Sequence, residues 1–357
     1  MILENFMKKT VLALATLAAV SGSAFAQSSV TIYGVVDASL EHLKGDDSVT
    51  RVSSDAFNSS RLGFRGVEDL GGGLKAKFNL ESAIAVDTGG VGTGSFWSRA
   101  AWVGLEGGFG ELRIGRQDSL IGGLAGNTSI LGAQPYDDLN IAGTFSGSSS
   151  EYRRVNNGIT YFLPKFVDGL TLAAQYSTAA KADEVANNDT GKTWGLNAQY
   201  VAGPFGIGAA YINSKADNLG NKDIGWLAFA SYDFGVLKLT GYYEQDDREA
   251  LSAATTYDKR DVYGLKVGVP IGSDFNLSAG VSKANNVAFN NNRDATFVTI
   301  KGVYTLSKRT ALYALVTNVA NDSNVDTTGG LNVGSAQAPV GQDSTGRGIA
   351  IGVRHAF

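Results

Sequence analysis

No cysteine occurs in the 357 residues, which excludes disulfide scaffolds, thiolate zinc sites and cysteine nucleophiles together. Histidine is nearly absent too, with 2 in the chain. His355 falls in the last alternating segment. His42 lies at the edge of a polar stretch with no Ser or Cys constellation beside it, so nucleophile-and-base chemistry has no candidate set and the chain reads as a non-enzyme. Metal chemistry fares no better. Asp46-Asp47, Asp137-Asp138 and Asp246-Asp247 are short acidic pairs without the spacing of a calcium loop, and nothing calls for a cofactor. Proline is scarce, at 5 residues. Beyond residue 26 no apolar run approaches the ~18 residues of a membrane-spanning helix. Any passage through a bilayer must therefore be by a closed barrel, the other structure that satisfies every backbone group in lipid.

Glycine, by contrast, is abundant: 46 residues, roughly twice its usual ~7% share and without a period of three. That suits many twisted strands joined by tight turns. The first 26 residues carry Lys8 and Lys9, an apolar stretch from Val11 to Val20 and then Ala24-Phe25-Ala26. This is the pattern of a secretory signal peptide cleaved before Gln27, and its core is half the length a spanning helix needs. Met7 stands where such segments usually begin, so Met1 and Met7 are alternative starts. Removing Lys8, Lys9 and Glu4 leaves 28 basic and 33 acidic residues, a net charge of −5. A mildly acidic exported chain is not a generic nucleic-acid binder.

The dominant pattern is alternation with period two in segments near ten residues long. Leu74, Ala76, Phe78 and Leu80 share one face, and Lys75, Lys77, Asn79 and Glu81 the other. Leu170, Leu172, Ala174 and Tyr176 oppose Thr171, Ala173 and Gln175; Phe275, Leu277, Ala279 and Val281 oppose Asn276, Ser278 and Ser282. A soluble sandwich also alternates, but here the connections are sorted. Seven are short: 71–73, 107–110, 164–169, 203–204, 233–235, 271–274 and 307–309. Eight longer polar ones lie between, near 42–58, 87–95, 117–150, 179–191, 215–222, 246–259, 285–293 and 321–345. Fifteen connections join sixteen strands. Short turns on one side and long loops on the other predict a 16-stranded antiparallel transmembrane β-barrel with both termini periplasmic, one domain over residues 27–357. The chain also ends with Ile349, Ile351, Val353, His355 and Phe357 on one face, an apolar stripe closed by an interfacial aromatic.

Val30-Thr31-Ile32-Tyr33-Gly34, Ser60-Arg61-Leu62-Gly63-Phe64-Arg65-Gly66, Arg99-Ala100-Ala101-Trp102-Val103-Gly104-Leu105 and Val353-Arg354-His355-Ala356-Phe357 resemble the general diffusion porins of Gram-negative bacteria, closest to the betaproteobacterial branch. The resemblance runs from strand one to strand sixteen. It implies a homotrimer in the outer membrane, in contact with lipid and lipopolysaccharide. Each barrel would pass small hydrophilic solutes and be narrowed by an inward-folded third loop over 117–150. That loop is long enough to be functional, and its apolar pieces Leu120-Ile121 and Ile130-Leu131 argue that part of it packs on something.

Alternation places the pore residues. With Leu62 and Phe64 turned outward, Arg61 and Arg65 point into the lumen. In strand four, Arg99 shares the lumen face with Ala101 and Val103 if Trp102 and Gly104 face out. Arg113 and Arg116 differ by three and take opposite sides; the resemblance favours Arg116 as the pore residue. In strand six Ile159 and Tyr161 face outward, turning Arg154, Asn156, Gly158 and Thr160 inward. By resemblance, Arg61, Arg99 and Arg154 occupy the family's basic ladder at the constriction. Guanidinium stays charged at any working pH and is weakly hydrated, so the expectation is an anion-preferring channel. The opposing acids would be Asp118, Asp137 and Asp138 of the third loop, with Glu81 nearby. Enterobacterial porins carry a Pro-Glu-Phe-Gly-Gly-like stretch in this loop where Gln134-Pro135-Tyr136-Asp137-Asp138 stands here, which leaves the placement of the acids open. A substrate-specific channel of the same architecture, for sugars or organic acids, is the alternative, and an adhesin barrel a more distant one. The lumen-parity aromatics Tyr33, Tyr242 and Phe297 are scattered rather than aligned as a sugar slide.

Overall fold

The computed structural model describes residues 29–91, 95–126, 128, 153–179, 189–216, 221–249, 259–287, 294–322, 340 and 344–357. Its strands are β1 (Ser29–Lys44), β2 (Ser48–Ser54), β3 (Arg61–Gly71), β4 (Leu74–Ala83), β5 (Ala100–Gly107), β6 (Gly110–Asp118), β7 (Arg154–Phe162), β8 (Leu170–Ser177) and β9 (Thr193–Ala202). They continue as β10 (Phe205–Lys215), β11 (Lys222–Asp233), β12 (Lys238–Arg248), β13 (Lys259–Ile271), β14 (Phe275–Asn285), β15 (Ala295–Thr305), β16 (Thr310–Asn321) and β17 (Thr345–Ala356). Among the described residues one helix, α1 (Leu120–Ala125), stands between β6 and β7.

β1 pairs antiparallel with both β2 and β3, each strand from β3 onward pairs antiparallel with the next, and β1 pairs with β17, so the sheet closes on itself. The seventeen segments make sixteen staves, because β2 and β3 lie end to end along β1: Ala38 faces Ser54 and Val35 faces Arg61. The sequence reading had treated 42–58 as one external loop. The alternation in Ser48-Val49-Thr50-Arg51-Val52 continues the hairpin instead, and only 55–60 breaks the stave, with Asp55 at φ 73°.

The two faces meet different solvents. Val30, Ile32, Val103, Ile114, Ile207, Leu265, Ile300, Val316 and Ile351 are exposed on the outside, a band far larger than any soluble monomer leaves uncovered. Among the described residues no helix is long and apolar enough to cross a membrane; the strands do so. The inside carries the charges.

Closure runs on to the last residue. Gly34 N donates to the Phe357 carbonyl at 3.1 Å and Phe357 N to the Gly34 carbonyl at 3.2 Å, while the Phe357 ring lies over Gly34, where any Cβ would collide with it. Deleting Phe357 removes both bonds, each worth about 1 kcal/mol, together with its aromatic anchor. The expected result is a several-fold drop in folded barrel on an unboiled denaturing gel, with Phe357→Tyr close to the parent.

Candidate functional site

The lumen is crowded at the level where the broken stave resumes. Arg61 opens β3, Glu81 lies near the end of β4, Arg99 immediately precedes β5, Asp118 ends β6 and Arg154 begins β7. Register brings these positions to similar depth: Gly63 faces Glu81, Glu81 faces Ala100 and Asp118 faces Arg154. Arg99 Nε sits 2.5 Å from Glu81, Arg61 Nε 3.7 Å from the same carboxylate, and Arg154 Nε 3.2 Å from Asp118. Arg154 Nε also donates to the Arg99 carbonyl at 3.1 Å, and an Arg61 terminal nitrogen to the Ser59 carbonyl at 3.0 Å. The Tyr33 hydroxyl lies 2.8 Å from both Asn79 and Glu81. It reaches them across Gly63, where a side chain would strike the Tyr33 ring. Arg65 covers the other part of that ring, its guanidinium carbon 5.0 Å from the centroid.

Glu81 and Asp118 thus belong to the arginine wall and do not oppose it. Three guanidiniums share two carboxylates, so the strip keeps net positive charge. Glu81→Gln removes one negative charge and leaves the Tyr33 contact available. One unit charge about 7 Å from a passing ion in water-like dielectric is worth about 0.6 kcal/mol, so the variant should raise chloride partition and lower potassium partition by roughly threefold each. Reversal potentials in a salt gradient read this directly.

Strand β5 corrects the parity assigned to it. Trp102 pairs with Asn79 and Gly104 with Lys77, both lumen residues, whereas Ala101 and Val103 pair with Leu80 and Phe78 and turn to the membrane. Arg99 joins the lumen because it precedes the strand and is not bound by its alternation. The same pairing puts Arg113, opposite Gly104, on the lumen side. Its guanidinium is held between the Trp102 and Phe162 rings, 4.5 Å from each centroid, and bonds Glu111 at 2.7 Å. Arg116 pairs with membrane-facing Ala101 at a bulge next to Gly115, whose φ is 128°. It donates to the Ser98 carbonyl at 2.8 Å and to Asn156 Oδ1, and so is tied into the wall beside Arg154.

The first part of the third loop folds inward. Ser119 caps α1 by accepting from Gly122 N at 2.9 Å, and Leu120, Ile121, Leu124 and Ala125 are buried. Ile121, Leu124 and Ala125 belong to one apolar cluster with Ile212, Leu227 and Phe229 of β10 and β11. Further on, the Thr128 carbonyl accepts from Lys266 Nζ of β13 at 2.9 Å. Lys266 is fully buried and lies 4.6 Å from the Tyr242 ring centroid. The chain leaves the arginine wall at β6 and is fastened across the lumen at β9 to β13. Between wall and helix remains a recess of ≈ 300 Å³ lined by Glu81, Arg99, Arg113, Asp118, Gly123 and Leu124 among others. Ile130, Leu131, Asp137 and Asp138 lie outside the described residues.

A second inward fold had no counterpart in the sequence reading. The break at 55–60 tucks against β15 to β17. Asp37 accepts from Asn58 N at 3.1 Å and from the Tyr313 hydroxyl at 2.7 Å. Phe57 packs edge-on to Tyr313 at 5.3 Å, with Lys301 Nζ 4.2 Å from its ring. Lys266 and Lys301 are lumen cations that sequence reasoning missed, with inward parity their only signal; Arg113 is the lumen residue of the pair from which the resemblance favoured Arg116. Of the aromatics at issue, Tyr33 is bound to Glu81, Tyr242 donates to Ser282 at 3.0 Å and Phe297 is buried, so they form no slide.

Comparison with known proteins follows the same lines. The family profile described as Gram-negative porin matches residues 13–324. Outer membrane porin protein 32 of Delftia acidovorans is 34% identical, with 98% of this chain and 100% of that protein aligned. An outer membrane porin protein of Bordetella pertussis is 28% identical over 98% of this chain and 100% of its own. Among solved structures, an anion-selective porin from Comamonas acidovorans superposes with a TM-score of 0.78 at 30% identity, covering 93% of this chain and 100% of that one.

Proposed function

The chain belongs to the Gram-negative porin family and is an outer-membrane channel; from that premise we propose that it is a water-filled, anion-preferring diffusion pore whose selectivity is set by Arg61, Arg99 and Arg154. The observation that carries this reading is the guanidinium strip held to one wall by Glu81 and Asp118, with its Arg99 lining, beside Arg113, the recess that separates that wall from α1. Fixed positive charge at a narrow aqueous passage raises the local anion concentration. Arg65, Arg113 and Arg116 extend the basic wall, and Asp137 and Asp138 supply further charge to the third loop. The anion-selective character of the Comamonas protein agrees with this. Residues 1–26 are removed on export, the barrel assembles as a homotrimer, and its outer face contacts lipid and lipopolysaccharide.

Recording from the purified protein in a planar bilayer tests the reading. Conductance linear with salt and unsaturated by any single solute, with a reversal potential toward chloride, is expected. Saturation by one sugar or organic acid would move the assignment to a substrate-specific channel; a cation-directed potential would overturn the role of the arginines.

A further inference from the structure

The break at 55–60 gives the lumen a second inner surface, and the reading above makes no use of it. Helix α1 lies against β8 to β11. The 55–60 turn lies against β15 to β17 and leads straight into Arg61, a terminal nitrogen of which donates to the Ser59 carbonyl at 3.0 Å. The arginine strip of β3 to β7 therefore has an inward fold on each flank. The turn is firmly held. Asp37 collects Asn58 N and the Tyr313 hydroxyl, Ser60 Oγ donates to the Asp37 carbonyl at 3.2 Å and Ser60 N to Asp55 at 2.6 Å, and Ala56 is fully buried.

Beneath the turn lie two cations. Lys301 faces Ser278 and Leu315 in register, and Arg354 faces Asp37 and Ala311, so both carry lumen parity. Arg61 on the strip keeps 28% of its side chain exposed, whereas Lys301 is buried at 5%. The Phe57 ring lies over both, its centroid 4.2 Å from Lys301 Nζ and 5.9 Å from the Arg354 guanidinium carbon. A ring face attracts cations, yet a stronger partner stood next to Arg354. Asp37 is directly opposite it across β1 and β17, where opposite charges stabilise a sheet by pairing. Among the described residues they make no ion pair; Asp37 serves the turn and Tyr313 instead. Arg354 Nε is left buried with no hydrogen-bond partner, which costs stability. The fold forgoes an ion pair and leaves a buried donor unmet, and what it gains is a phenyl ring held over two lumen cations.

We propose that Phe57 is a selectivity determinant of the pore: a cover that keeps Lys301 and Arg354 from contact with passing anions, so that anions meet one basic wall and not two. Conduction requires binding favourable enough to enter and weak enough to leave. Two bare cations on the flank of the arginine strip would hold an anion, a doubly charged one above all. The cover therefore sets which anions pass and which lodge. This rests on the anion-preferring reading and deepens it.

Full-length mature protein would be recorded in planar bilayers at low potassium chloride, with potassium sulfate added as the probe. Uncovering lets an anion approach each cation from about 7 Å to about 4 Å, which in water-like dielectric multiplies chloride partition roughly fourfold and sulfate partition roughly 20-fold. Phe57→Ala should accordingly shift the reversal potential further toward chloride and let sulfate block the chloride current at a several-fold lower concentration. Phe57→Leu, which keeps a cover, should restore most of the parental behaviour. With Lys301→Met and Arg354→Met in place, Phe57→Ala should alter neither quantity. Acetylation of Lys301, read by peptide mass spectrometry, should be several-fold faster in Phe57→Ala than in the parent. Parental sulfate block in a folded Phe57→Ala barrel overturns the cover, as does the same shift persisting once both cations are gone. Should Phe57→Ala give no folded barrel on an unboiled gel, Tyr313→Phe loosens the turn from the other side by removing a donor to Asp37. It should move block and acetylation in the same direction, and parental values there overturn the cover equally. A parent that prefers potassium would mean that the pore reading fails; a chloride-preferring parent unmoved by Phe57→Ala would mean that the cover alone fails.

Discussion

Replacing Arg61, Arg99 and Arg154 together by glutamine is expected to reverse the ion preference of the channel. Taking a passing ion about 7 Å from each charge and a water-like dielectric, one guanidinium contributes about 0.6 kcal/mol, and three about 1.8 kcal/mol, or roughly 20-fold in the partition of each ion, favouring chloride and disfavouring potassium. The sign follows from what stays behind. Glu81 and Asp118 are now neutralised by the arginines at 2.5 Å and 3.2 Å; without them the same wall keeps two carboxylates that have lost those partners. The triple variant should therefore become cation-preferring, and adding Glu81→Gln should bring it back toward no preference. Screening sharpens the test. With a Debye length near 10 Å at 0.1 M salt and 3 Å at 1 M, the difference between parent and variant should shrink severalfold over that range. An unchanged reversal potential at low salt would leave the three arginines as plain wetted wall. A change that ignored ionic strength would point to altered geometry instead.

Much of the architecture was legible because lipid outside and water inside impose opposite demands on successive residues. Leu74 to Glu81 alternate cleanly, and the glycine turn at 71–73 falls between strands as its composition requires. The sorting of short and long connections fixed the stave count even though the first loop was drawn too long. Legibility failed where polarity contrast failed. In β5 the two faces carry Ala101, Val103 and Leu105 against Ala100, Trp102 and Gly104, and the single charge that settles the parity, Glu106 on the lumen face, stands at the far end of the strand. The bulge at Gly115 shifts register and detaches Arg116 from the pattern that places Arg113.

Loop placement posed a different problem. Which inward residue lies beneath a loop depends on where that loop crosses, and this is a tertiary fact. Lys266 and Lys301 have the same inward parity as many wetted residues, yet one is bonded to the Thr128 carbonyl and the other lies over Phe57. The inward turn at 55–60 is set by Asp37, which collects Asn58 N and the Tyr313 hydroxyl from opposite sides of the barrel seam. Nothing in the local sequence around Phe57 signals a partner 256 positions later at Tyr313.

The largest structural effect should come from detaching α1. Ile121 and Leu124 are 0% and 1% exposed, packed on Ile212, Leu227 and Phe229 inside the barrel. Leu124→Asp puts a carboxylate into that cluster, where an unpaired charge costs several kcal/mol, more than a six-residue helix can retain against the wall. The barrel itself is closed by main-chain pairing from β1 to β17 and should still fold, as unboiled gel mobility would report. The pore should then conduct about twice as much and lose most of its ion preference, because selectivity requires ions to pass within a Debye length of the arginine strip. Lys266→Met is the graded companion. It removes the donor to the Thr128 carbonyl but keeps the volume, so an intermediate conductance and more current noise are expected. If Leu124→Asp keeps parental conductance while the gel shows a folded barrel, α1 does not define the narrow passage. If conductance rises and the reversal potential stays put, the arginine strip selects ions without the helix opposite it.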